Sequence, residues 1–267
     1  MKKISAVPYY LKSSFAILTS VRPLSAPFRL LRKPRHAEVQ IPRLDIAFEV
    51  RCFMDVWTMK ETFLDRDYVQ YGFKPEQDWT VVDVGAALGD FSVQMAKVYN
   101  VARVVAVEPA PSAIPLLSQN LAHNGAENVT VIGKALSVGA RELWLDTEGV
   151  PGSLGTTADK QRSGQVRVEA MTLSELFDEA GIERCSLLKL DCEGAEFALI
   201  CDSDEDFLAR TDRIVMEFHE GIDPGGRGRT DLTAALERHG FVTETFESKV
   251  HRDLGFIRAT RRDLAAA

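Results

Sequence analysis

Cysteine is scarce in this sequence, with four residues in 267, at Cys52, Cys185, Cys192 and Cys201. No two of them are spaced as a C-x-x-C pair, so the sequence suggests neither a zinc site nor a disulfide framework. Isolated thiols suit a reducing compartment, where most of them are expected to be plain buried side chains. We therefore expect a cytoplasmic protein.

Long apolar runs are also missing. No stretch reaches the roughly 18 apolar residues that a membrane-spanning helix needs. Lys12 interrupts the apolar region near the start, and no small-residue cleavage site follows it, which argues against a secretory signal. Hydrophobic residues still make up 45% of the chain, which is enough for a sizeable core and argues against a disordered protein.

Acidic residues are absent from the first 37 positions, which we interpret as a basic N-terminal arm. This arm carries eight basic residues: Lys2, Lys3, Lys12, Arg22, Arg29, Arg32, Lys33 and Arg35. Because the whole chain has a net charge of -7, the remainder carries -15. Such an acidic body lacks the broad basic face of a general nucleic-acid binder, so no nucleic-acid partner is expected.

The arm also contains recurring apolar residues and four prolines. Two interpretations remain open. The favoured one is a loosely ordered arm, or a short helix, lying on the body. The other is an interfacial segment that makes peripheral contact with anionic lipid, or with a lipid-linked substrate, at the inner membrane surface.

The rest of the chain has the pattern of an α/β protein. Residues 38–78 form a predicted entry unit, with strand-like alternation in AEVQIPRLDIAFEVRC and helical spacing in DVWTMKETFLDRDYV. Over residues 79–267 strands alternate with helices, which predicts a mostly parallel, doubly wound sheet. One predicted strand covers NVTVIGKALS, and a last strand pair covers FVTETFES and LGFIRATRR. Thr172 and Glu175 are spaced as a capping box at the start of a helix.

The stretch VVDVGAALGD places Asp83 near the end of an apolar strand, and Gly85 and Gly89 follow it. Ligands of such sheets bind beyond the carboxyl ends of the strands. Glycine allows a sharp turn and a close approach of the backbone to a ligand. The next strand ends in Glu108, a position where a carboxylate suits two ribose hydroxyls.

These residues favour S-adenosylmethionine over a nicotinamide dinucleotide. The loop lacks the G-x-G-x-x-G pattern that holds a pyrophosphate, and a carboxylate at Asp83 would repel that group. The same carboxylate suits a cationic amino-acid or sulfonium ligand, either directly or through water. A nicotinamide oxidoreductase is therefore disfavoured, as is a base methyltransferase, because DCEG stands where such enzymes carry an N/D-P-P-Y/F/W motif.

A second cluster of charge lies in LLKLDCEGAE, where Lys189 sits within an apolar strand that ends at Asp191. Charged side chains at a strand end cost free energy unless they are solvated, paired with an opposite charge or part of a functional site. Glu193 and Glu196 are equally well explained as acids at the start of a helix. A third candidate pair is Glu217 and His219, whose spacing on a strand puts both on one face; His219 is interpreted as a base, a metal ligand or a structural histidine.

In order and spacing, these segments resemble FkbM-type methyltransferases. The resemblance rests on VVDVGAALGDFS, VVAVEPAPSAIPLLSQNLAHNG, VIGKALS, the GSLG loop, LLKLDCEGAE and IVMEFHEG, and it covers about residues 40–258. It implies a class I, Rossmann-like methyltransferase fold with a short N-terminal extension. It also implies S-adenosylmethionine as cofactor and transfer of its methyl group to a hydroxyl of a sugar, glycan or glycosylated natural product.

By the same resemblance, the cofactor would contact residues on several strand ends. Glu108 would hold the ribose, and Asp191 would flank the methyl donor. The other predicted cofactor contacts are Asp83, Gly85, Ala86 and Gly89 at the methionine end, Pro109 beside Glu108, and Ala135 and Leu136 near the adenine. Ala87 departs from the family, which usually has a polar residue there.

Asp191 or His219 is predicted to act as general base, with Lys189 stabilising negative charge on the acceptor oxygen. A second route uses Mg²⁺ or Mn²⁺ held by Asp191, Glu217 and His219. The glycine-rich loop 149–164, with Ser153, Thr156, Thr157 and Lys160, is expected to cover a small-molecule or glycan acceptor. The alternatives are another small-molecule acceptor, or a binding protein without turnover; the oligomeric state cannot be read from the sequence.

Overall fold

The computed structural model describes residues 7–32, 36–146, 156–157, 164–192, 194–203, 206–248 and 253–265. The strands are β1 (Ala37–Ile41), β2 (Ile46–Val50), β3 (Thr80–Val84), β4 (Arg103–Val107), β5 (Val129–Ile132), β6 (Ala135–Leu136), β7 (Glu142–Asp146), β8 (Thr156–Thr157), β9 (Gln165–Met171), β10 (Leu187–Leu190), β11 (Arg213–His219), β12 (Phe241–Glu247) and β13 (Leu254–Arg261). The helices are α1 (Val7–Ser20), α2 (Ser25–Arg32), α3 (Phe53–Lys60), α4 (Asp90–Val93), α5 (Ile114–His123), α6 (Leu173–Glu179), α7 (Ala195–Cys201), α8 (Asp206–Ala209), α9 (Arg229–Arg238) and α10 (Arg262–Ala265).

A seven-stranded sheet, in the order β12-β13-β11-β10-β3-β4-β5, forms the centre of the fold. Strands β11, β10, β3, β4 and β5 are parallel, and β13 is antiparallel to both β11 and β12. The predicted α/β fold with a mostly parallel sheet and a terminal strand pair is confirmed. Strands β3, β4 and β10 are almost wholly buried because the sheet is covered on both faces.

One predicted strand was wrong. The segment NVTVIGKALS divides into β5, in the central sheet, and β6, which pairs in parallel with β9 in a second sheet of order β6-β9-β7-β8. Gly133 and Lys134 lie between the two strands. Glycine weakens a strand interior, and the chain changes sheets at this point.

The predicted entry unit is a β1–β2 hairpin followed by α3, which continues as a π turn over Glu61–Asp65. Asn120 of α5 and Asn124, the residue after its end, hold the hairpin. Asn120 Oδ1 accepts the Glu49 N–H, and Asn124 Oδ1 accepts the Ala47 N–H. The Asn120 side-chain amide also donates to the Leu88 carbonyl, so α5 joins the hairpin to the first loop of the central sheet.

The described part of the arm is helical and packs on the body. Ile17 and Val21, at the end of α1, and Ala26 and Leu30, in α2, belong to the same buried cluster as the hairpin. Both helices contact α3. Among the described residues, no helix has both the length and the apolar character needed to cross a membrane.

Candidate functional site

A cavity of about 1470 Å³ lies at the carboxyl ends of β3, β4, β10 and β11. Its lining divides into two parts, which we name by their residues. The loop half consists of Gly85, Ala86, Glu108, Pro109, Ala135 and Leu136. The aromatic half consists of Tyr9, Tyr10, Trp57, Tyr68, Asp191 and Glu217.

Backbone geometry shapes the loop half. Gly85 has a φ of 76°, and the N–H groups of Gly85 and Ala86 both donate to the Val107 carbonyl, at 3.1 and 3.0 Å. A Cβ atom on Gly85 would stand 1.8 Å from the Asp191 carbonyl oxygen. The loop therefore passes so close to the end of β10 that it has no room for a side chain.

Glu108 lies in the centre of the loop half and is only 8% exposed. Its two carboxylate oxygens accept the N–H groups of Ala87 and Ala110, each at 2.9 Å. Burial raises the pKa of this carboxyl above its ordinary value, and the two backbone donors oppose that effect. Ala135 and Leu136, which form β6 of the second sheet, line the same half.

Lys189 lies beneath the loop, where it is 3% exposed. Its Nζ donates to the carbonyls of Val84 and Gly85, at 3.2 and 2.9 Å, and lies 3.1 Å from Asp83 Oδ1. Burial alone would lower the pKa of this ammonium, but the surrounding carboxylates, Asp83 first, outweigh burial and raise it. Lys189 thus ties the end of β3 to the end of β10.

Two of the predicted cofactor residues lie outside the cavity lining. Asp83 is wholly buried, accepts the Ser92 hydroxyl at 2.6 Å and pairs with Lys189. Gly89 is the N-cap of α4 with a φ of 89°, and a Cβ atom there would meet Leu117 at 2.6 Å. Both residues shape the loop through contacts with the rest of the protein and do not line the cavity.

A buried tyrosine joins two carboxylates in the aromatic half. The Tyr68 hydroxyl donates to Asp191 Oδ2 at 2.7 Å and lies 3.4 Å from Glu217 Oε2. Burial, reinforced by these two carboxylates, raises the pKa of Tyr68 well above its usual range. The phenol therefore stays protonated and serves as a donor between the two acids.

The environment of Glu217 differs from that of Asp191. Burial, followed by the negative charge of Asp191, raises the pKa of Glu217 to about 8. Asp191 is 3.7 Å from Lys189 Nζ and accepts the Tyr68 hydroxyl. Neighbouring carboxylates in contrasting surroundings are a common arrangement in acid–base sites.

The predicted metal ligands do not form a metal site. His219 directs Nδ1 at Glu196 Oε1, 3.3 Å away, and Glu196 is fully buried and also accepts the Gly194 N–H. The Tyr68 hydroxyl contacts both Asp191 and Glu217. Within the described ranges, no group of three or more His, Cys, Asp or Glu side chains could hold a metal ion. The prediction that Asp191, Glu217 and His219 bind Mg²⁺ or Mn²⁺ is therefore not supported.

Sequence reasoning missed most of the aromatic half. Tyr68 follows α3 in a second π turn, Tyr68–Gly72, and Tyr9 comes from the arm. Tyr9 accepts a hydrogen bond from Lys60 Nζ at 2.9 Å, and its ring packs against Trp57. The only signal for these contacts was the concentration of aromatic residues before the first core strand, which does not specify where the chain folds back.

Some predicted residues lie outside the described residues. Glu193 is one of them. Of the loop 149–164, the structure describes the backbone of β8, which pairs with β7, and Gly164. The proposed acceptor cover at Ser153 and Lys160 therefore stays a prediction.

Residues 83–256 match the sequence model of the methyltransferase FkbM domain. The chain is 32% identical over 236 residues to "Methyltransferase sdnD" of Sordaria araneosa, covering 76% of this chain and 89% of that protein. It is 26% identical over 214 residues to "31-O-demethyl-FK506 methyltransferase FkbM" of Streptomyces tacrolimicus, covering 68% of this chain and 80% of that protein.

A third relative is much longer than this chain. The "AMB antimetabolite synthetase AmbE" of Pseudomonas aeruginosa is 30% identical over 223 residues, which are 69% of this chain but 10% of the synthetase. Among solved structures, the methyltransferase FkbM of Methylobacillus flagellatus aligns with a TM-score of 0.51 at 13% identity. That alignment covers 95% of this chain and 58% of the other, and it supports the fold alone.

Proposed function

Because this chain belongs to the FkbM methyltransferase family, we propose that it transfers a methyl group from S-adenosylmethionine to a hydroxyl oxygen of a sugar, glycan or glycosylated natural product. The observation that carries the proposal is the cavity itself. Its loop half fits a nucleoside, and its aromatic half brings Asp191, Glu217 and Tyr68 together beside that half. The name of the Streptomyces tacrolimicus relative specifies an oxygen acceptor, which favours a hydroxyl here.

The residues of the loop half fit the cofactor. Glu108 would hold the ribose hydroxyls, because it is buried at the end of β4 with both oxygens already oriented by backbone donors. Gly85 and Ala86 would lie along the methionine end, and Ala135 with Leu136 would flank the adenine. When bound, S-adenosylmethionine would supply an electrophilic methyl group, whose bond to sulfur breaks as its bond to the acceptor oxygen forms, giving S-adenosylhomocysteine.

Glu217 is the proton acceptor that the site favours. An alcohol must lose a proton as it is methylated, and a general base works best when its pKa lies near the working pH. Glu217 meets this condition, with a pKa of about 8. Asp191, in contrast, already accepts the Tyr68 hydroxyl and lies 3.7 Å from Lys189 Nζ. Asp191 and His219, which also line the cavity, remain the alternative bases.

Lys189 has a positioning role in this proposal. Its contacts with two loop carbonyls and Asp83 direct the ammonium at the protein rather than at an acceptor oxygen. These contacts favour fixing the loop over stabilising charge on the acceptor. Most of the rate acceleration would come from holding the two reactants together, an effect worth roughly 7–11 kcal/mol.

Calorimetry tests the cofactor assignment directly. The purified protein is titrated with S-adenosylhomocysteine and, as a control ligand, with NAD. We expect binding of the homocysteine compound alone, with loss of that binding in Glu108→Ala and retention in the exposed control Glu142→Ala. Absence of binding in the folded wild-type protein would contradict the proposed cofactor.

Turnover is tested separately, with radiolabelled S-adenosylmethionine and a panel of hydroxylated sugars and glycosides. With the label in the methyl group of the cofactor, the expected product carries a labelled O-methyl group. Cofactor binding without label transfer to any acceptor would favour the alternative of a binding protein.

A further inference from the structure

The outer face of the N-terminal arm is unusually apolar. Among the described residues, twelve large hydrophobic side chains are exposed, and eight of them lie within residues 7–31. Seven of these eight form the outer face, and the eighth, Tyr10, lines the cavity: the seven are Val7, Leu11, Phe15, Leu18, Leu24, Phe28 and Leu31. Single exposed apolar residues are ordinary, but a concentration of this kind marks an interaction surface.

The exposed residues of α1 share one side of the helix. Val7, Leu11, Phe15 and Leu18 are spaced i, i+4, i+8 and i+11, which places them in a single stripe. Leu11 and Phe15 are 67% and 69% exposed, whereas Ile17 is buried against the body. The helix therefore has two apolar sides, and packing within the chain accounts for only one of them.

The charge beside this surface has a single sign. Lys12, Arg22, Arg29 and Arg32 are all exposed, and residues 7–32 contain no Asp or Glu. In α2 the two arginines lie beside the exposed Phe28 and Leu31. We propose that the outer face of α1 and α2 docks on an anionic lipid surface, with its apolar side chains entering the interface and its basic side chains pairing with headgroups.

The charge pattern favours a membrane over a second copy of the chain. A helical face with exposed Leu and Phe beside Lys and Arg has the composition of interfacial helices. In a symmetric dimer formed through this face, the basic residues of the two copies would repel each other across the interface. An anionic bilayer satisfies both the apolar and the basic part of the face.

The same helix also reaches the cavity. Tyr9, Tyr10 and Ser13 of α1 line it, and Tyr9 is held by Lys60 and Trp57. Docking of α1 would bring the aromatic half of the cavity to the lipid surface. An acceptor carried on a lipid would then meet the cavity there, a consequence that rests on the proposed function, although the docking itself does not.

Vesicle sedimentation of the full chain tests the docking without any methyl transfer. Vesicles of phosphatidylcholine with phosphatidylserine are compared with vesicles of phosphatidylcholine alone. We expect binding to the anionic vesicles that weakens as salt rises. Arg29→Gln/Arg32→Gln should weaken it by roughly 30-fold, since each basic residue near an anionic surface contributes about 1 kcal/mol.

A matched pair of variants tests the apolar part. Phe15→Ser should reduce vesicle binding, whereas Val242→Ser, at a 47% exposed site on β12, should leave it unchanged. Calorimetry with S-adenosylhomocysteine and thermal melting verify that each variant is folded. Three outcomes would overturn the proposal. The first is no vesicle binding, and the second is binding of equal strength to both kinds of vesicle that neither Arg29→Gln/Arg32→Gln nor Phe15→Ser weakens. The third is a dimer in ultracentrifugation that Phe15→Ser abolishes.

Discussion

The two halves of the cavity are built in different ways. The loop half is formed by the ends of adjacent strands. Its main contacts are made by the backbone N–H groups of Gly85, Ala86, Ala87 and Ala110. The aromatic half is formed by side chains from remote parts of the chain; Tyr68 and Asp191, which share a hydrogen bond, are 123 positions apart. One pocket therefore combines a part fixed by local turns with a part assembled only by tertiary packing.

Removing the Glu217 carboxylate should distinguish the two halves most strongly, because it should affect turnover but not cofactor binding. In Glu217→Gln we expect kcat to fall roughly 10²–10⁴-fold, the usual contribution of a general base, with unchanged S-adenosylhomocysteine affinity. In the wild type, kcat/KM should rise with pH through about 8, because Glu217 accepts a proton only after losing its own. Steady-state kinetics over pH and calorimetry give both readouts. Full turnover in the variant would move the base to Asp191 or His219.

Adding one methyl group to the loop half should have the next largest effect. Gly85→Ala introduces a backbone clash with Asp191 at a positive φ, so we expect a loss of about 3–4 kcal/mol in unfolding free energy and loss of cofactor binding. Gly181→Ala is the control, because its φ is also positive but its surroundings are open. It should cost only about 1–2 kcal/mol. If urea unfolding showed equal losses of stability in the two variants, backbone strain rather than the close approach to Asp191 would explain the need for glycine at position 85.

A smaller change tests the hydrogen bond that links the aromatic half to β10. Tyr68→Phe removes the donor to Asp191, a bond to a charged group that contributes roughly 1.5–3 kcal/mol. We expect a turnover loss of about tenfold and a shift of the pH profile to higher pH, since Asp191 then repels the charged form of Glu217 more strongly. Tyr99→Phe serves as the matched variant. An unshifted profile would mean that Tyr68 has a packing role only.

The smallest predicted effect concerns stability against pH. Burial raises the pKa of Asp90 to about 6, that of Glu61 to about 7 and that of Glu217 to about 8, so the folded protein retains protons that the unfolded chain releases. Stability from these groups is present at low pH and is lost as pH rises through 6 to 8. We expect the melting temperature to fall by a few degrees from mildly acidic to alkaline pH. Glu61→Gln should flatten this slope, and an unchanged slope would contradict the assignment.

Most of the central sheet could be predicted because its five parallel strands are mainly apolar runs bounded by turns. The Thr172–Glu175 capping box is confirmed, since both its signals lie within four residues. The division of NVTVIGKALS between β5 and β6 was not predictable from hydrophobicity, because both pieces are apolar. β5 joins the central sheet through β4, whereas β6 joins the second sheet through β9, more than thirty residues further along.

In the site, the sequence indicated the positions at strand ends but not their orientation. Glu108 and Asp191 lie where a parallel sheet places residues beyond its strands. Asp83 was expected at the ligand, yet it faces Lys189, because a buried ammonium needs a buried partner. Tyr68 could not be found by any local pattern, since its partner Asp191 lies 123 positions further along the chain.

The contacts of Lys189 have a consequence for binding kinetics. The loop around Gly85 is held by the protein's own ammonium, so its shape is determined by folding and does not depend on a ligand. A preorganised loop loses little conformational entropy when it binds. Cofactor association should therefore be a single fast step, without a slow phase from loop ordering.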